Sequence, residues 1–305
     1  AATAATMLSY YLMRHYFTPR PTIVERTDTS MLSRLERLRG FHVPAANLQN
    51  LILNPALEEK VTSKFDGIAL AIRQGLPLSN MLFHGPAGTG KTMAAQAFAR
   101  NLYEQGVAHH VIIRGGAFKR LGSAGKAQKA LSDVLRWART SKKPVILVFD
   151  EAETMFVDRE SADANEITRE LTVAMLSFFE RAANSNMMFI LSTNLPHRLD
   201  RALLNRIDPS NRVKFDAPGK NELINLLKVY LSEHLTKNNF VVPEAIMDNL
   251  PDIADKMPGT VGRQVDSFVA QLIYPMLNAQ TKTLEREMVD RAIAAQQAPE
   301  ALTAY

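Results

Sequence analysis

The 305-residue sequence contains no cysteine, which excludes a disulfide framework and a cysteine-ligated metal site. It also lacks any uninterrupted run of 18 apolar residues, the length that a membrane-spanning helix requires. The segment Ala1–Met13 is too short to cross a membrane. It fits either the end of a membrane segment further upstream or an amphipathic helix, and we expect any membrane anchor to lie upstream of these residues.

Charge of both signs is well represented, and 46% of the residues are apolar. This composition is typical of a folded protein with an ample core. The net charge of +5 is modest, but its distribution is uneven. Residues 111–144 are rich in Lys and Arg with Asp133 as the single acid, whereas residues 158–170 are rich in Asp and Glu. These stretches fit solvated helix faces, contacts between subunits, or guidance of an acidic substrate.

The hydrophobic pattern divides the chain into three parts. Residues 1–46 predict a short helical segment, residues 47–217 an α/β domain, and residues 218–305 a small helical domain. In the α/β part, short apolar strands alternate with helices, which predicts a parallel sheet covered by helices on both faces. The predicted strands are Met81–His84, His110–Arg114, Pro144–Phe149 and Met187–Ser192, and the main helices are Ala56–Gln74, Met93–Tyr103, Gln128–Thr140 and Glu166–Ala183.

A phosphate-binding loop is the strongest local signal. Residues 85–92, GPAGTGKT, satisfy the pattern G-x-x-x-x-G-K-[ST] between a predicted strand and a predicted helix. The glycines leave room for backbone N–H groups to wrap a polyphosphate, Lys91 adds positive charge, and Thr92 offers a hydroxyl to Mg²⁺. The predicted ATP-binding residues of this loop are Gly85, Pro86, Ala87, Gly88, Thr89, Gly90, Lys91, Thr92 and Met93.

Two further strands end in polar side chains. The apolar run 145–149 is followed by Asp150 and Glu151, and the next strand ends at Asn194. Beside a phosphate loop, Asp150 is predicted to hold Mg²⁺ and Glu151 to activate the attacking water. Without that loop, the acidic pair would fit a helix N-terminus and Asn194 a turn. The combination predicts ATP hydrolysis rather than binding alone.

The order of these motifs resembles the AAA+ ATPases: GPAGTGKT, VILVFDEAE, ILSTN, LDRALLNRID and a helical tail. Within that superfamily the chain is most similar to the mitochondrial ATPase family AAA-domain-containing protein 3 group, or to a bacterial relative. The likeness covers roughly residues 15–295 of the chain. The stretches that carry the closer likeness are PRPTIVE, LILNPALEEKV, RWART, FDAPG and VGRQ.

The resemblance implies roles for four further side chains. Asn194 would be the sensor that couples the phosphate state to the sheet. Arg206 falls where the family places its arginine finger, which reaches the nucleotide of a neighbouring subunit, and Arg212 is a second candidate. Arg263, after a glycine in the helical domain, falls where a lid arginine senses the γ-phosphate.

The first pore loop of such an ATPase is expected at Ala117–Gly122. Many translocases carry an aromatic residue directly before a pore-loop glycine, but here Leu121 precedes Gly122 and Phe118 lies earlier. The sequence therefore leaves open whether the protein threads a polypeptide.

The resemblance implies a ring-forming ATPase, a hexameric homo-oligomer that binds Mg-ATP between subunits and remodels a protein or membrane-associated client. The implied location is the matrix face of the mitochondrial inner membrane, or the cytoplasm for a bacterial relative. One alternative is a scaffold that assembles with ATP and turns over little, which the acidic pair argues against. Another is a nucleic-acid remodeller or loader, which the basic stretch favours and the lack of interleaved aromatic residues disfavours.

Overall fold

The computed structural model describes residues 24–26, 51–181 and 186–297. The predicted helix within residues 30–39, and the rest of the predicted N-terminal segment apart from 24–26, lie outside the described residues.

The centre of the described structure is a six-stranded sheet with the order β1-β3-β4-β5-β2-β6. Strands β3, β4, β5, β2 and β6 run parallel, and β1 pairs with β3 in the antiparallel direction. This confirms the predicted α/β fold with a parallel sheet. The strands are β1 (Val24–Arg26), β2 (Met81–His84), β3 (His109–Arg114), β4 (Val145–Asp150), β5 (Met187–Thr193) and β6 (Arg212–Lys214).

Helices cover both faces of the sheet, because alternate residues of a strand point to opposite sides. In β4, Leu147 and Phe149 join one apolar core, whereas Ile146 and Val148 join the other. Helices α4 and α5 pack on the first face, and α1 and α2 pack on the second. The helices of this part are α1 (Pro55–Gln74), α2 (Lys91–Glu104), α3 (Gly116–Lys119), α4 (Ala124–Thr140), α5 (Glu166–Arg181) and α6 (Arg201–Leu204).

Helix α1 shows how local sequence sets an element boundary. The Asn54 side chain accepts a hydrogen bond of 2.8 Å from the backbone N–H of Leu57, and Pro55 occupies the first turn. Both features favour a helix start, since they satisfy or remove backbone donors that the first turn leaves without partners. Gly75 ends the helix in the left-handed conformation, with φ of 66°.

The predicted helical N-terminal segment is wrong at the three residues of it that the structure describes. Val24–Arg26 forms an edge strand, with Val24 opposite Ile113 of β3. The physical reason is visible in the sequence TIVERT, residues 22–27, where β-branched residues follow Pro21. Such residues favour extended backbone over helix.

After β6 the chain is helical and has its own apolar core, to which Leu227, Leu231 and Phe268 belong. We call these helices the lid. None of the described helices is long and apolar enough to cross a membrane. The lid helices are α7 (Lys220–His234), α8 (Glu244–Asp248), α9 (Leu250–Asp255), α10 (Gly262–Gln271), α11 (Ile273–Asn278) and α12 (Arg286–Gln297).

The segment 51–53 lies between the two parts of the structure. Leu53 is buried in the core beneath α1 and α2, and Leu51 packs against that core. Ile52 packs instead against the core of the lid. This short segment therefore contacts the α/β domain and the lid at once.

A buried histidine makes the stability of the α/β domain depend on pH. His110 of β3 is 1% exposed, and burial, with smaller effects from Arg100 and His109, lowers its pKa from 6.5 to about 4. The unfolded chain therefore takes up this proton first as the pH falls, and the folded state loses stability. Between about pH 6.5 and about pH 5 we expect a loss on the order of 2 kcal/mol from this residue.

Chemical denaturation of the wild type and of His110→Leu over this pH range measures the effect. The variant should lose less unfolding free energy on acidification than the wild type, whereas replacement of the exposed His197 by Gln should leave the wild-type slope. Equal pH slopes for the wild type and His110→Leu would contradict the prediction.

Candidate functional site

A cavity of about 510 Å³ opens at the carboxyl ends of β2, β4 and β5. The strand order explains its position. The chain leaves β2 through α2 and returns at β3, on the far side of β5 and β4. Crossovers that diverge in this way leave a crevice at the carboxyl edge of a parallel sheet. The lid helices α7 and α10 form the opposite wall through residues that include Leu226, Tyr230 and Arg263.

The predicted phosphate loop connects β2 to α2 and forms one side of the cavity. Gly85 has φ of 143°, and a Cβ added there would lie 2.0 Å from the carbonyl oxygen of Phe215. Gly90 has φ of 93° at the start of α2. Glycine is the residue that adopts such backbone conformations without a steric cost, so a polyphosphate can approach the backbone N–H groups closely.

Lys91 lies at the base of this loop and is only 5% exposed. Its Nζ donates hydrogen bonds to the carbonyl oxygens of Gly85 at 2.8 Å and Pro86 at 2.5 Å. Burial lowers the Lys91 pKa, and the carboxylates of Glu153 and Asp150 oppose that change. Carbonyl groups of the loop therefore hold the ammonium group of Lys91 in place.

Asp150, at the end of β4, is the hub of the predicted magnesium site. Its Oδ1 accepts hydrogen bonds from Thr92 Oγ1 and from Ser192 Oγ, each of 2.6 Å. A carboxylate next to a threonine hydroxyl supplies the hard oxygen ligands that Mg²⁺ prefers, with the phosphates and water completing its coordination. These residues therefore fit Mg²⁺ carried by a nucleotide.

Sequence reasoning did not identify Ser192 as a site residue. The available signal was a buried hydroxyl in the otherwise apolar strand MMFILS. Because β5 lies between β4 and β2, its carboxyl end has to pass between Asp150 and the phosphate loop. The Ser192 hydroxyl at that place donates a hydrogen bond to the Asp150 carboxylate. An apolar side chain there would leave the carboxylate with one hydrogen-bond donor fewer.

Glu151 lines the cavity directly after Asp150. Its backbone is in the left-handed conformation, with φ of 54°, which is uncommon for a residue other than glycine and is found preferentially at functional sites. Partial burial raises the pKa of the Glu151 carboxyl, and the charges of Asp150 and Glu153 raise it further. A carboxylate with a raised pKa is better suited to accept a proton.

Asn194 lies across the cavity, at the end of β5. Its backbone N–H donates a hydrogen bond of 3.2 Å to Oε1 of Glu153. Glu153 is 8% exposed, and its Oε2 has no hydrogen-bond partner among the described residues. Sequence reasoning did not assign Glu153 a role. The structure shows that this buried carboxylate fixes the backbone from which the Asn194 side chain extends.

The lid touches the phosphate loop directly. A Cβ added to Gly262, at the start of α10, would lie 3.2 Å from the carbonyl oxygen of Gly88. A Cβ added to Gly88 would lie 2.8 Å from Cγ2 of Val261. The next residue, Arg263, lines the cavity and lowers the pKa of Lys91 through its charge. The predicted lid arginine therefore lies close to the phosphate end.

Part of the cavity wall is apolar. Its lining includes Leu51, Leu53 and Leu57 from the α/β domain, with Leu226 and Tyr230 from the lid. Apolar surfaces on two sides suit a flat purine base, because binding removes the base and these side chains from water.

Most of the predicted site residues converge on this one cavity. Residues 87–93 of the loop line it together with Asp150, Glu151, Asn194 and Arg263. Gly85 and Pro86 contribute through the hydrogen bonds that their carbonyl groups accept from Lys91.

The two candidate finger arginines do not line the cavity of their own chain. Arg206 Nη1 donates to the carbonyl oxygen of Ala202 at 2.9 Å. Arg212 donates to the carbonyl oxygens of Leu204 at 2.8 Å and of Ile207 at 3.1 and 3.2 Å.

In the predicted pore-loop region, Phe118 is 2% exposed and belongs to the core of the α/β domain. The exposed side chains next to it are Lys119 and Arg120, and Leu121 is partly exposed. The structure therefore offers no aromatic side chain for gripping a polypeptide between residues 117 and 122.

The fold and the cavity together define a P-loop nucleotide-binding domain. Residues 81–215 match the family described as "ATPase family associated with various cellular activities (AAA)". This part of the chain is an AAA domain, and its family is one of ATPases.

The chain is also similar to proteins named ATPase family AAA domain-containing protein 3. The 3A homolog of Drosophila melanogaster is 33% identical over 231 residues, which cover 71% of this chain and 35% of the relative. The Homo sapiens 3A protein is 29% identical, over 72% of this chain and 37% of the relative. The Caenorhabditis elegans protein is 28% identical, over 81% of this chain and 42% of the relative. The chain thus spans less than half the length of these relatives.

Replacement of Ser192 by Ala tests the Asp150 site. Removal of one of the two hydroxyls leaves the carboxylate less firmly positioned, and loss of a hydrogen bond to a metal ligand typically weakens metal affinity by about tenfold or more. We expect the Mg²⁺ concentration for half-maximal nucleotide binding to rise roughly tenfold. Titration with Mg²⁺ at fixed ATP measures this. Ser132→Ala, in helix α4 away from the cavity, is the matched control, and equal midpoints for both variants would contradict the prediction.

Proposed function

We propose that this protein binds Mg-ATP in the cavity between the AAA domain and the lid and hydrolyses it. The observation that carries this proposal is the hydrogen-bonded group of Thr92, Asp150 and Ser192, with Lys91 and Glu151 lining the same cavity. A site that only binds nucleotide does not require a proton acceptor with a raised pKa beside the metal ligands.

Each residue has a distinct task in this proposal. The loop and Lys91 hold the β- and γ-phosphates, while Thr92 and Asp150 hold Mg²⁺. When bound, Mg²⁺ would supply positive charge next to the phosphate oxygens. Glu151 accepts the proton of the attacking water, and the Asn194 amide orients that water.

Replacement of Glu151 by Gln should separate binding from hydrolysis. The amide keeps the size of the side chain but accepts a proton poorly, so we expect phosphate release to fall by roughly a hundredfold or more while ATP binding persists. Phosphate release and equilibrium binding measure the two effects. Glu160→Gln changes an exposed acid in the nearby acidic stretch and should leave both unchanged. Undiminished phosphate release by Glu151→Gln would exclude Glu151 as the base.

The raised pKa of Glu151 also predicts a pH profile. Glu151 has to be deprotonated to act as a base, so the rate should fall as the pH decreases through the raised pKa. This fall should begin at a higher pH than for a glutamate with the ordinary value of 4.5. The pH dependence of kcat/KM, which reports the protein without bound nucleotide, measures it over a range in which circular dichroism shows the protein folded. A rate that stays flat down to the ordinary range would contradict the assignment.

We further propose that the active unit is a ring, because neither candidate finger arginine lines the cavity of its own chain. Arg206 and Arg212 lie outside the cavity of their own chain, which fits a group that acts on the nucleotide of a neighbouring copy. Arg212 uses Nε and Nη2 to bind two carbonyl groups of its own chain. This supports a structural role for Arg212, and the resemblance to the AAA+ ATPases supports Arg206 as the finger.

A mixing experiment tests this arrangement. Arg206→Ala and Glu151→Gln should each be nearly inactive alone, since loss of a finger costs roughly a thousandfold in rate. In mixed rings, an intact Glu151 of one subunit can meet an intact Arg206 of its neighbour, so phosphate release should reappear. The control mixture combines Arg212→Ala, in place of Arg206→Ala, with Glu151→Gln. Failure of the mixture to regain activity, despite mixed assembly seen by mass measurement, would contradict action between subunits.

For the biological role, we propose remodelling of a protein or membrane-associated client by the assembled ring. The exposed Lys119 and Arg120 between β3 and α4 support contact with acidic surfaces of such a client. The resemblance to the mitochondrial group supports a location at the matrix face of the inner membrane. The alternative of an ATP-dependent scaffold predicts assembly without phosphate release, and the measurements above distinguish it.

A further inference from the structure

A carboxylate of the lid lies at the cavity without a role in the proposed hydrolysis. Asp266 of α10 lines the cavity, and its side chain is 46% exposed. Its Oδ1 lies 2.5 Å from Nε2 of His234, a buried residue of α7. The His234 ring also lies against that of Tyr230, with ring centroids 6.1 Å apart. One carboxylate oxygen is therefore fixed by the lid itself.

The second oxygen of Asp266 is available to a ligand. Among the residues that the structure describes, none donates a hydrogen bond to Asp266 Oδ2. An ionised carboxylate only accepts hydrogen bonds, so a ligand that contacts this oxygen has to supply a donor. The phosphates of ATP offer acceptors at neutral pH. The donors of ATP are the ribose hydroxyls and the amino group of adenine.

The position of Asp266 in the cavity favours the ribose. Arg263 lies on the same helix three residues earlier, which is about 4.5 Å along the helix axis. Arg263 lies toward the phosphate loop, because a Cβ added to Gly88 would lie 3.1 Å from Cβ of Arg263. Asp266 itself lies beside the apolar lining that suits the base, because its partner His234 contacts Tyr230 of that lining. Along α10, Asp266 comes after Arg263. Along a nucleotide, the sugar comes after the phosphates.

We propose that Asp266, positioned by His234, accepts a hydrogen bond from the ribose 2′-hydroxyl of the bound nucleotide and favours ATP over 2′-deoxy-ATP. Carboxylates recognise ribose hydroxyls in this way in dinucleotide-binding folds. His234 is a positioning residue, because it acts through Asp266. The inference rests on the proposed nucleotide site and adds sugar recognition to it.

Equilibrium binding of ATP and 2′-deoxy-ATP tests the proposal without any need for hydrolysis. The wild type should bind ATP roughly tenfold more tightly, as expected for one hydrogen bond to a charged group. Asp266→Ala should bind ATP and 2′-deoxy-ATP alike, at about the wild-type affinity for the deoxynucleotide. His234→Ala should reduce the ratio, and His234→Gln, which keeps a donor, should restore part of it.

Asp255→Ala is the matched control, because Asp255 is a lid carboxylate paired with Lys220 and lies outside the cavity lining. It should keep the wild-type ratio. Asp266→Asn retains the size of the side chain and an acceptor oxygen, and it replaces Asp266→Ala if that variant does not fold. Its ratio should fall below that of the wild type.

Equal binding of both nucleotides by the wild type, or an unchanged ratio in Asp266→Ala, would overturn the proposal. A purine riboside triphosphate lacks the amino group of adenine. The ratio of its affinity for the wild type to its affinity for Asp266→Ala should equal the same ratio for ATP. If its deficit relative to ATP instead disappears in Asp266→Ala, the carboxylate reads the base, and the ribose assignment is wrong. ATP binding without phosphate release would refute the proposed hydrolysis and leave this test intact.

Discussion

The carboxylate of Asp150 connects the elements on which the site depends. It accepts hydrogen bonds from Thr92 at the start of α2 and from Ser192 near the end of β5, so three segments meet at one oxygen. The sheet order makes this meeting possible, because β5 lies between the strand that precedes the phosphate loop and the strand that ends in Asp150. Without that order, Lys91, Glu151 and Asn194 would not surround the same space.

The lid completes the site from the other side and is packed tightly against it. Gly262 and Val261 lie very close to Gly88. A side chain at Gly262 would contact the carbonyl oxygen of Gly88, and a side chain at Gly88 would contact Val261. Segment 51–53 contacts both cores. The phosphate loop and the lid are therefore in direct contact, so a change of conformation at one has to be accommodated at the other.

Local patterns predicted much of the fold and the centre of the site. The phosphate loop and the acidic pair are contiguous in sequence, and the strands are apolar runs between turn residues, so their identity could be read before the structure. Contacts between residues that are distant in sequence could not be predicted in this way. Ser192 lies 42 residues from Asp150 and His234 lies 32 from Asp266, so only the folded chain shows that they touch. The edge strand 24–26 was missed because the helical pattern of its surroundings outweighed its β-branched residues.

The central claim is that hydrolysis of Mg-ATP takes place at a site that two copies of the chain complete. Phosphate release by the wild type should be measured across a dilution series, with particle mass determined on the same samples. The account predicts that the rate per chain follows the assembled fraction, that monomers are nearly inactive, and that removal of Mg²⁺ abolishes the activity. A rate per chain that is the same for monomers and assemblies, or assembly with ATP but no phosphate release, would contradict it.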